Sequence, residues 1–251
     1  MAPPVFHLDD LPEVGCTAVL DGPEGHHAAT VRRLRVGEQL LLSDGRGGVA
    51  QASVTAVGKD RLELAVSGRH YVPRPDTTVT VVQALPKSER SELAVELVTE
   101  AGVDELVPWA AARCVARWQG PRADKGVARW RAVAREAAKQ SRRPYIPLVH
   151  DLATTSELVA LVHERVQGGG VALLLHESAA MGLRQVELAV QVLLVVGPEG
   201  GLDDTELAQL TAAGARAVHL GPTVLRTSTA AAVALGALGV LTDRWDAAPP
   251  N

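Results

Sequence analysis

At 251 residues, with 47% hydrophobic content and a net charge of −4, the chain has apolar material for one large core or two modest ones. Its two cysteines, Cys16 and Cys114, lie far apart and show no metal-ligand spacing, which argues against a disulfide framework and against a zinc site. No apolar run approaches the length of a membrane span, and MAPPVFHLDDLPEVG has no basic leader region and meets Asp9 and Asp10 early, so the expected compartment is the cytoplasm.

The first elements in the chain are short alternating segments. EQLLLSDG, GVAQASVTAVG and RLELAVSG are separated by the turn-like DGRGG and GKD, with GHHAATVRRL as a short helical or irregular interruption, and together they predict a small β-barrel over residues 1–72. RHYVPRPD, with two prolines and little periodicity, reads as a linker. Residues 73–251 then alternate. TVTVVQAL reads as strand, SERSELAVELVTEAG as helix stopped by Gly102, DELVPW as strand, and a basic helix follows from about Lys125 to Ser141. Next come SELVALVHERV as helix, GVALLLHE as strand, a strand, loop and helix in LLVVGPEGGLDDTEL, a short AVHLG strand and the closing helix TSTAAAVALGALGVL. Such alternation predicts an α/β domain, a parallel sheet covered by helices.

Charge is distributed unevenly. Between Arg113 and Arg143 ten Lys or Arg stand against Asp124 and Glu136, so this stretch carries +8 and the remainder −12. In its helix Trp130, Val133, Ala134, Ala137 and Ala138 form an apolar face, while Arg131, Arg135, Lys139 and Arg142 follow at i, i+4, i+8 and i+11. A stripe of this kind can be an ordinary solvated face; with a regional charge of +8 it points to RNA phosphates. Trp109, Trp118 and Trp130 could stack bases, but with so few aromatics in the chain the core has first claim on them.

The loop GPEGG carries the chemistry. Val195 and Val196 end a β-branched run, Gly197 and Pro198 turn the chain, and Gly200 and Gly201 let backbone approach a ligand. Asp203 and Glu206 have the form of a capping box, with Gly214 placed to end the helix. A phosphate loop would need a Gly-Lys-Ser/Thr ending and a dinucleotide fold its three-glycine spacing; neither is present, and Glu199 would repel phosphate. A nucleoside with a positive sulfonium and no phosphates, S-adenosylmethionine, suits the loop better, although the same residues also make a plain tight turn with a helix cap. A second loop, LGPTVLRTSTA, presents Arg226 just ahead of a small-residue helix. Loops leaving the carboxyl ends of neighbouring parallel strands converge on one pocket.

VVGPEGGLDDTEL, LGPTVLRTSTA, EAAKQSRRPYIP, ALPKSERSELAVELVTEAGVDELVPW and HAATVRRLRVGE, in this family order over nearly the whole chain, resemble the bacterial 16S ribosomal RNA uridine-N3 methyltransferase family of the SPOUT superfamily. The resemblance implies an N-terminal PUA-like barrel for RNA, a C-terminal α/β domain with a deep trefoil knot, an obligate homodimer and S-adenosylmethionine in the knot loops. A knot departs from the usual unthreaded connections and no periodicity reveals it. The cofactor positions are Leu174, Leu175 and His176 at the end of one strand, with Glu177 beside them. Val196, Gly197, Glu199 and Gly200 form the next group, and Leu220, Gly221, Val224, Leu225 and Thr229 the last. His176 and Glu177 are also readable as an ordinary strand-end pair. His27 and Arg33 match the barrel motif and, with Arg131, Arg135, Lys139, Arg142 and Arg143, are the RNA-contact candidates. In two places the chain departs from the family: Ser228 stands where an acid is usual, and Leu97 where a lysine is common.

The expected reaction is methylation of N3 of a uridine in the decoding region of 16S RNA in the small ribosomal subunit. Transfer from a sulfonium needs no metal, and the site's main task is placement. The N3 proton must leave, and Arg226 is the candidate that stabilises the resulting anion, its competing role being an ion pair with a partner subunit. No residue declares itself as general base. The other readings are a non-catalytic RNA-binding assembly factor, a SPOUT enzyme with another target nucleotide, and a small-molecule α/β enzyme, which leaves the +8 stretch without a purpose.

Overall fold

Period-two patterning lays leucine and valine on one face of each N-terminal strand. The computed structural model describes residues 3–246 and divides them into two units. The first unit, residues 3–74 with Ala138–Ile146, contains β1 (Val5–His7), β2 (Thr17–Leu20), α1 (Gly22–His26), β3 (Gln39–Ser43), β4 (Gly48–Gly58) and β5 (Arg61–Tyr71). Their order is β1-β3-β4-β5-β2, antiparallel except for the β1–β3 pair. Register shifts in the β4–β5 pairing at Gln51/Ala52 and Val54/Ala56 bend the long ribbon around a core that includes Phe6, Leu20, Leu42, Leu62 and Leu64. The interruption expected at GHHAATVRRL is α1 continued by a π-turn, His27–Val31, and the chain leaves it through Arg33 at φ 55°.

Tyr145 closes this unit. Its hydroxyl donates to the Val72 carbonyl at 2.6 Å and lies 2.9 Å from the Tyr71 hydroxyl, and burial pushes the phenol up to about 12. The Arg74 guanidinium sits 4.3 Å from the ring centroid.

The second unit, Pro75–Ala137 and Pro147 onward, alternates strand and helix. Its elements are β6 (Thr78–Ala84), α2 (Ser88–Glu100), β7 (Glu105–Trp109), α3 (Pro121–Gln140), β8 (Leu148–Val149), α4 (Thr155–Gln167), β9 (Val171–Leu175), β10 (Gln191–Val196), α5 (Asp204–Ala212), β11 (Arg216–Val218) and α6 (Thr227–Leu241), the last turn of α3 belonging to the first unit. The sheet runs β11-β9-β10-β6-β7-β8, every pair parallel. Parallel strands are covered on both faces, which is why VTVV and VLLVV are continuous apolar runs. Val79, Val81, Leu193 and Leu194 are all fully buried. The capping box at Asp203 and Glu206 forms as expected, and Gly214, at φ 105°, ends α5.

The sequence pattern misplaces the start of α3 and puts its end within one residue. Pro121 starts it a turn before Lys125, where a fixed φ and a missing N–H cost nothing. It stops at Gln140 because Arg142 adopts φ 56° and the Arg143 N–H reaches back to the Ala138 carbonyl at 2.8 Å. Glycine usually occupies such a left-handed turn, so an arginine there gives no stop signal. Trp109 and Trp130 are buried in the core, and Trp118 packs edge-on to Trp130 with centroids 5.4 Å apart.

Two long-range clamps hold the unit. Glu206, 4% exposed, accepts from the Ala112 N–H at 2.8 Å and the Thr155 hydroxyl at 2.9 Å, tying the loop after β7 and the start of α4 to the start of α5. Arg244, beyond α6, donates to Asp104 Oδ2 and to the Thr77 carbonyl, each at 2.6 Å, and also to the Gly102 carbonyl.

At the opposite end of β7 from the loops that follow it, Glu105 Oε2 lies 3.0 Å from His150 Nε2. The His150 hydrogen bond holds this carboxyl below the ordinary range. A depressed folded-state pKa contributes stability that is present above the unfolded value, about 4.5, and is lost as pH falls through the folded one. Both side chains are 40% exposed, so the contribution is under about 1 kcal/mol. Urea denaturation of the wild type and Glu105→Gln should therefore differ at neutral pH and converge in acid; a gap that persists unchanged below pH 4 would show that His150 is not the cause.

Candidate functional site

Three neighbouring strands, β9, β10 and β11, end side by side, and the chain leaving them, together with the segment after β6, encloses a cavity of about 460 Å³. That volume suits a small-molecule ligand. Leu175, His176 and Glu177 line it from β9, Val196, Gly197, Pro198 and Glu199 from β10, and Val218, His219, Leu220 and Gly221 from β11. Val224, Leu225 and Arg226 complete the second loop, and Thr227 and Ala230 bring the first turn of α6 to the wall.

Most of the expected cofactor positions are thus brought together, and three stand off the wall. Leu174 points into the core with no exposed surface, because alternate residues of a strand face opposite sides. Gly200 packs against Arg113, whose Cβ would lie 3.2 Å from an added Cβ, so its lack of a side chain serves loop packing. Thr229 donates its hydroxyl to the Arg226 carbonyl at 3.1 Å, inside the first turn of α6. Gly221 does open space for a ligand: a Cβ there would meet nothing within 4 Å.

The wall also carries Lys87 and Arg90, which the pattern of loops did not single out. The signal was available: ALPKSER follows β6, a strand adjacent to β10, and the rule about carboxyl ends applies to it equally. Glu199 joins the two loops, its Oε1 accepting the Lys87 N–H at 3.2 Å. His176 Nδ1 accepts the Ser178 N–H at 3.2 Å, which puts the proton of a neutral ring on Nε2. Gln83, buried at the end of β6, donates to the Thr227 carbonyl at 3.4 Å and so fixes the start of α6. Ser228 is buried behind it, 1% exposed, with no hydrogen-bond partner for Oγ among the described residues. Among the described residues no group of His, Cys, Asp and Glu has the arrangement of a metal site, and no helix is long and apolar enough to cross a membrane.

The basic stripe is shorter than the sequence spacing suggests. Arg131 donates to the Val149 carbonyl and pairs with Asp151, both at 3.0 Å, with its side chain half exposed. Arg135 is half-buried on the next turn. Lys139 is not on a solvated face at all: its Nζ lies 3.0 Å from Glu24 Oε1 and its side chain is only 9% exposed. Arg142 and Arg143 lie beyond the helix end, both half-buried. His27 packs edge-on to Phe6, and Arg33 is exposed.

With this geometry in place, known proteins bear on it. Residues 73–239 match the family model of the RNA methyltransferase domain, and residues 20–67 that of the RNA methyltransferase PUA domain. Ribosomal RNA small subunit methyltransferase E of Mycobacterium bovis is 58% identical over 245 residues, covering 97% of this chain and 94% of the relative. Its Bacillus subtilis counterpart is 30% identical over 240 residues, covering 90% and 91%. The crystal structure of a ribosomal RNA small subunit methyltransferase E from Neisseria gonorrhoeae bound to S-adenosyl methionine superposes with a TM-score of 0.86 at 28% identity, over 96% of this chain and 98% of that one. A methyltransferase from Legionella pneumophila in complex with the same cofactor gives 0.86 at 26% identity with the same coverage.

Proposed function

The chain belongs to the ribosomal RNA small subunit methyltransferase E family, and on that premise we propose that it transfers a methyl group from S-adenosylmethionine to N3 of a uridine in the decoding region of 16S ribosomal RNA. The observation that carries the reading is the cavity between the loops after β10 and β11, walled by glycine backbone and a glutamate, with Arg226 at its edge. The residues present fit the cofactor. A cavity of about 460 Å³ has room for an adenosine-sized body, Gly221 leaves backbone open to it, Leu220 and Leu225 offer it apolar surface, and the Glu199 carboxylate favours a cationic guest over a triphosphate. When bound, the cofactor supplies a methyl group on a positive sulfur.

The protein's own groups place the uracil and handle its proton. Arg226 is exposed at the wall with no ion pair among the described side chains, so its guanidinium is available to the uracil oxygens as negative charge grows on them. His176 has its Nδ1 lone pair engaged by Ser178, which leaves that nitrogen unsuited to take the N3 proton. Arg33, Arg142 and Arg143 of the first unit and Arg131 and Arg135 of the second each offer phosphate contacts, and Lys139 acts through its ion pair with Glu24 by fixing the end of α3.

A second copy of the chain covers α6. That helix has no charged residue over its 15 positions and leaves Val233, Val240 and Leu241 between 47% and 76% exposed, with Leu93 of the adjoining α2 at 41%. Apolar surface of this kind on a soluble protein marks an interface.

The test is calorimetric titration with S-adenosylmethionine, followed by incubation with small subunits from cells lacking the protein and mass mapping of the 16S RNA. Saturable binding and one new N3-methyluridine are expected. A protein that binds RNA but takes up no cofactor would instead be an assembly factor.

A further inference from the structure

Three cations, Lys87, Arg90 and Arg226, share the cavity wall with two carboxylates, Glu177 and Glu199. None of the three forms an ion pair with a described side chain, and Glu199 already accepts the Lys87 backbone N–H. Helices α2 and α6 both begin here, after Lys87 and Arg226 respectively, and neither N-terminus has a side-chain cap. The positive dipole ends of the two helices add to the field of the three side chains. Three cations against two carboxylates leave an excess of positive charge at one concave place, which an anionic ligand offsets.

We propose that Lys87 and Arg90 form an anion site at the mouth of the cavity that holds a phosphodiester of the substrate RNA beside the target uridine. The inference rests on the methyl-transfer reading for the identity of the strand. Lys87 is exposed and Arg90 half-exposed, so both are accessible to a polymer from solution. They lie on neither of the two loops after β10 and β11, which leaves those loops to the nucleoside. An ammonium and a guanidinium three residues apart at a helix start suit phosphate oxygens, one as a point charge and one as a planar fork. The donor's own carboxylate is the other anion that could reach them, and it is separable by experiment.

Lys87→Gln, Arg90→Gln and the double variant should be compared with wild type for binding single-stranded 16S RNA fragments between about 50 and 200 mM salt, with cofactor titration in parallel. Each substitution is expected to weaken RNA binding about tenfold at low salt and to lower the slope of log K against log salt by about 0.7, with cofactor affinity unchanged; Arg90→Lys should recover most of the loss. Unchanged RNA affinity and slope would overturn the site. Weakened cofactor binding with RNA binding intact would give the cations to the donor's carboxylate and equally overturn the phosphodiester. Wild type that shows the salt slope yet never methylates would sink the methyl-transfer reading alone, whereas methylation by variants with wild-type RNA binding would sink the anion site alone.

Discussion

Arg226→Ala should lower the methylation rate at saturating RNA and cofactor by about a hundredfold or more, with little change in thermal stability. The uracil N3–H keeps its proton at neutral pH, so the transition state carries negative charge that a fixed guanidinium favours more than it favours the neutral base. Stability is spared because the side chain is exposed and supplies no cap to α6; the start of that helix is fixed instead by Thr229 bonding the Arg226 carbonyl and by Gln83 bonding that of Thr227. Rates from transfer of labelled methyl, read beside light scattering, decide the matter. A variant that keeps the wild-type rate removes Arg226 from the chemistry, and one that loses activity only as it falls into single chains makes it an ion-pair partner of the neighbouring subunit.

Arg244→Ala should cost about 3–5 kcal/mol of folding stability, a large share of what a domain of this size has. Arg244 and Asp104 are 5% and 7% exposed, and the carboxylate also accepts the Val79 N–H at 2.8 Å. Removing the guanidinium leaves a buried negative charge and two carbonyls without donors. The replacement Arg244→Met with Asp104→Leu removes both charges and should cost less than either single change. Urea midpoints measured on wild type, Arg244→Ala, the two single replacements and the double replacement test this, and an alanine variant within 1 kcal/mol of wild type would show that water reaches the pair.

The parts of this molecule legible in its sequence are those written in neighbouring residues. VVGPEGGLDD announces a strand, a turn and a capped helix within a dozen positions, and LGPTVLRTSTA announces a second loop and an Arg ahead of a small-residue helix; both sit where strand ends converge. The strands β1, β2 and β8 are only two to four residues long, too short to show a period. Lys139 gave no hint of leaving its stripe because its partner, Glu24, is 115 residues away, and the Arg244–Asp104 pair spans 140. Contacts of that separation depend on the finished fold. Lys87 and Arg90 were missed for a different reason: their loop contains no glycine cluster, and attention to glycine overlooks a loop whose side chains are its business.

Arg33 and Arg142 occupy backbone shapes that nature ordinarily reserves for glycine. Each L-residue there carries a penalty of about 1 kcal/mol, tolerated at these two arginines and again at Asp60, φ 54°, in the turn of the β4–β5 ribbon. Anyone hardening this protein for the laboratory would be tempted to relieve both kinks with glycine, and would obtain a sturdier scaffold two positive charges poorer.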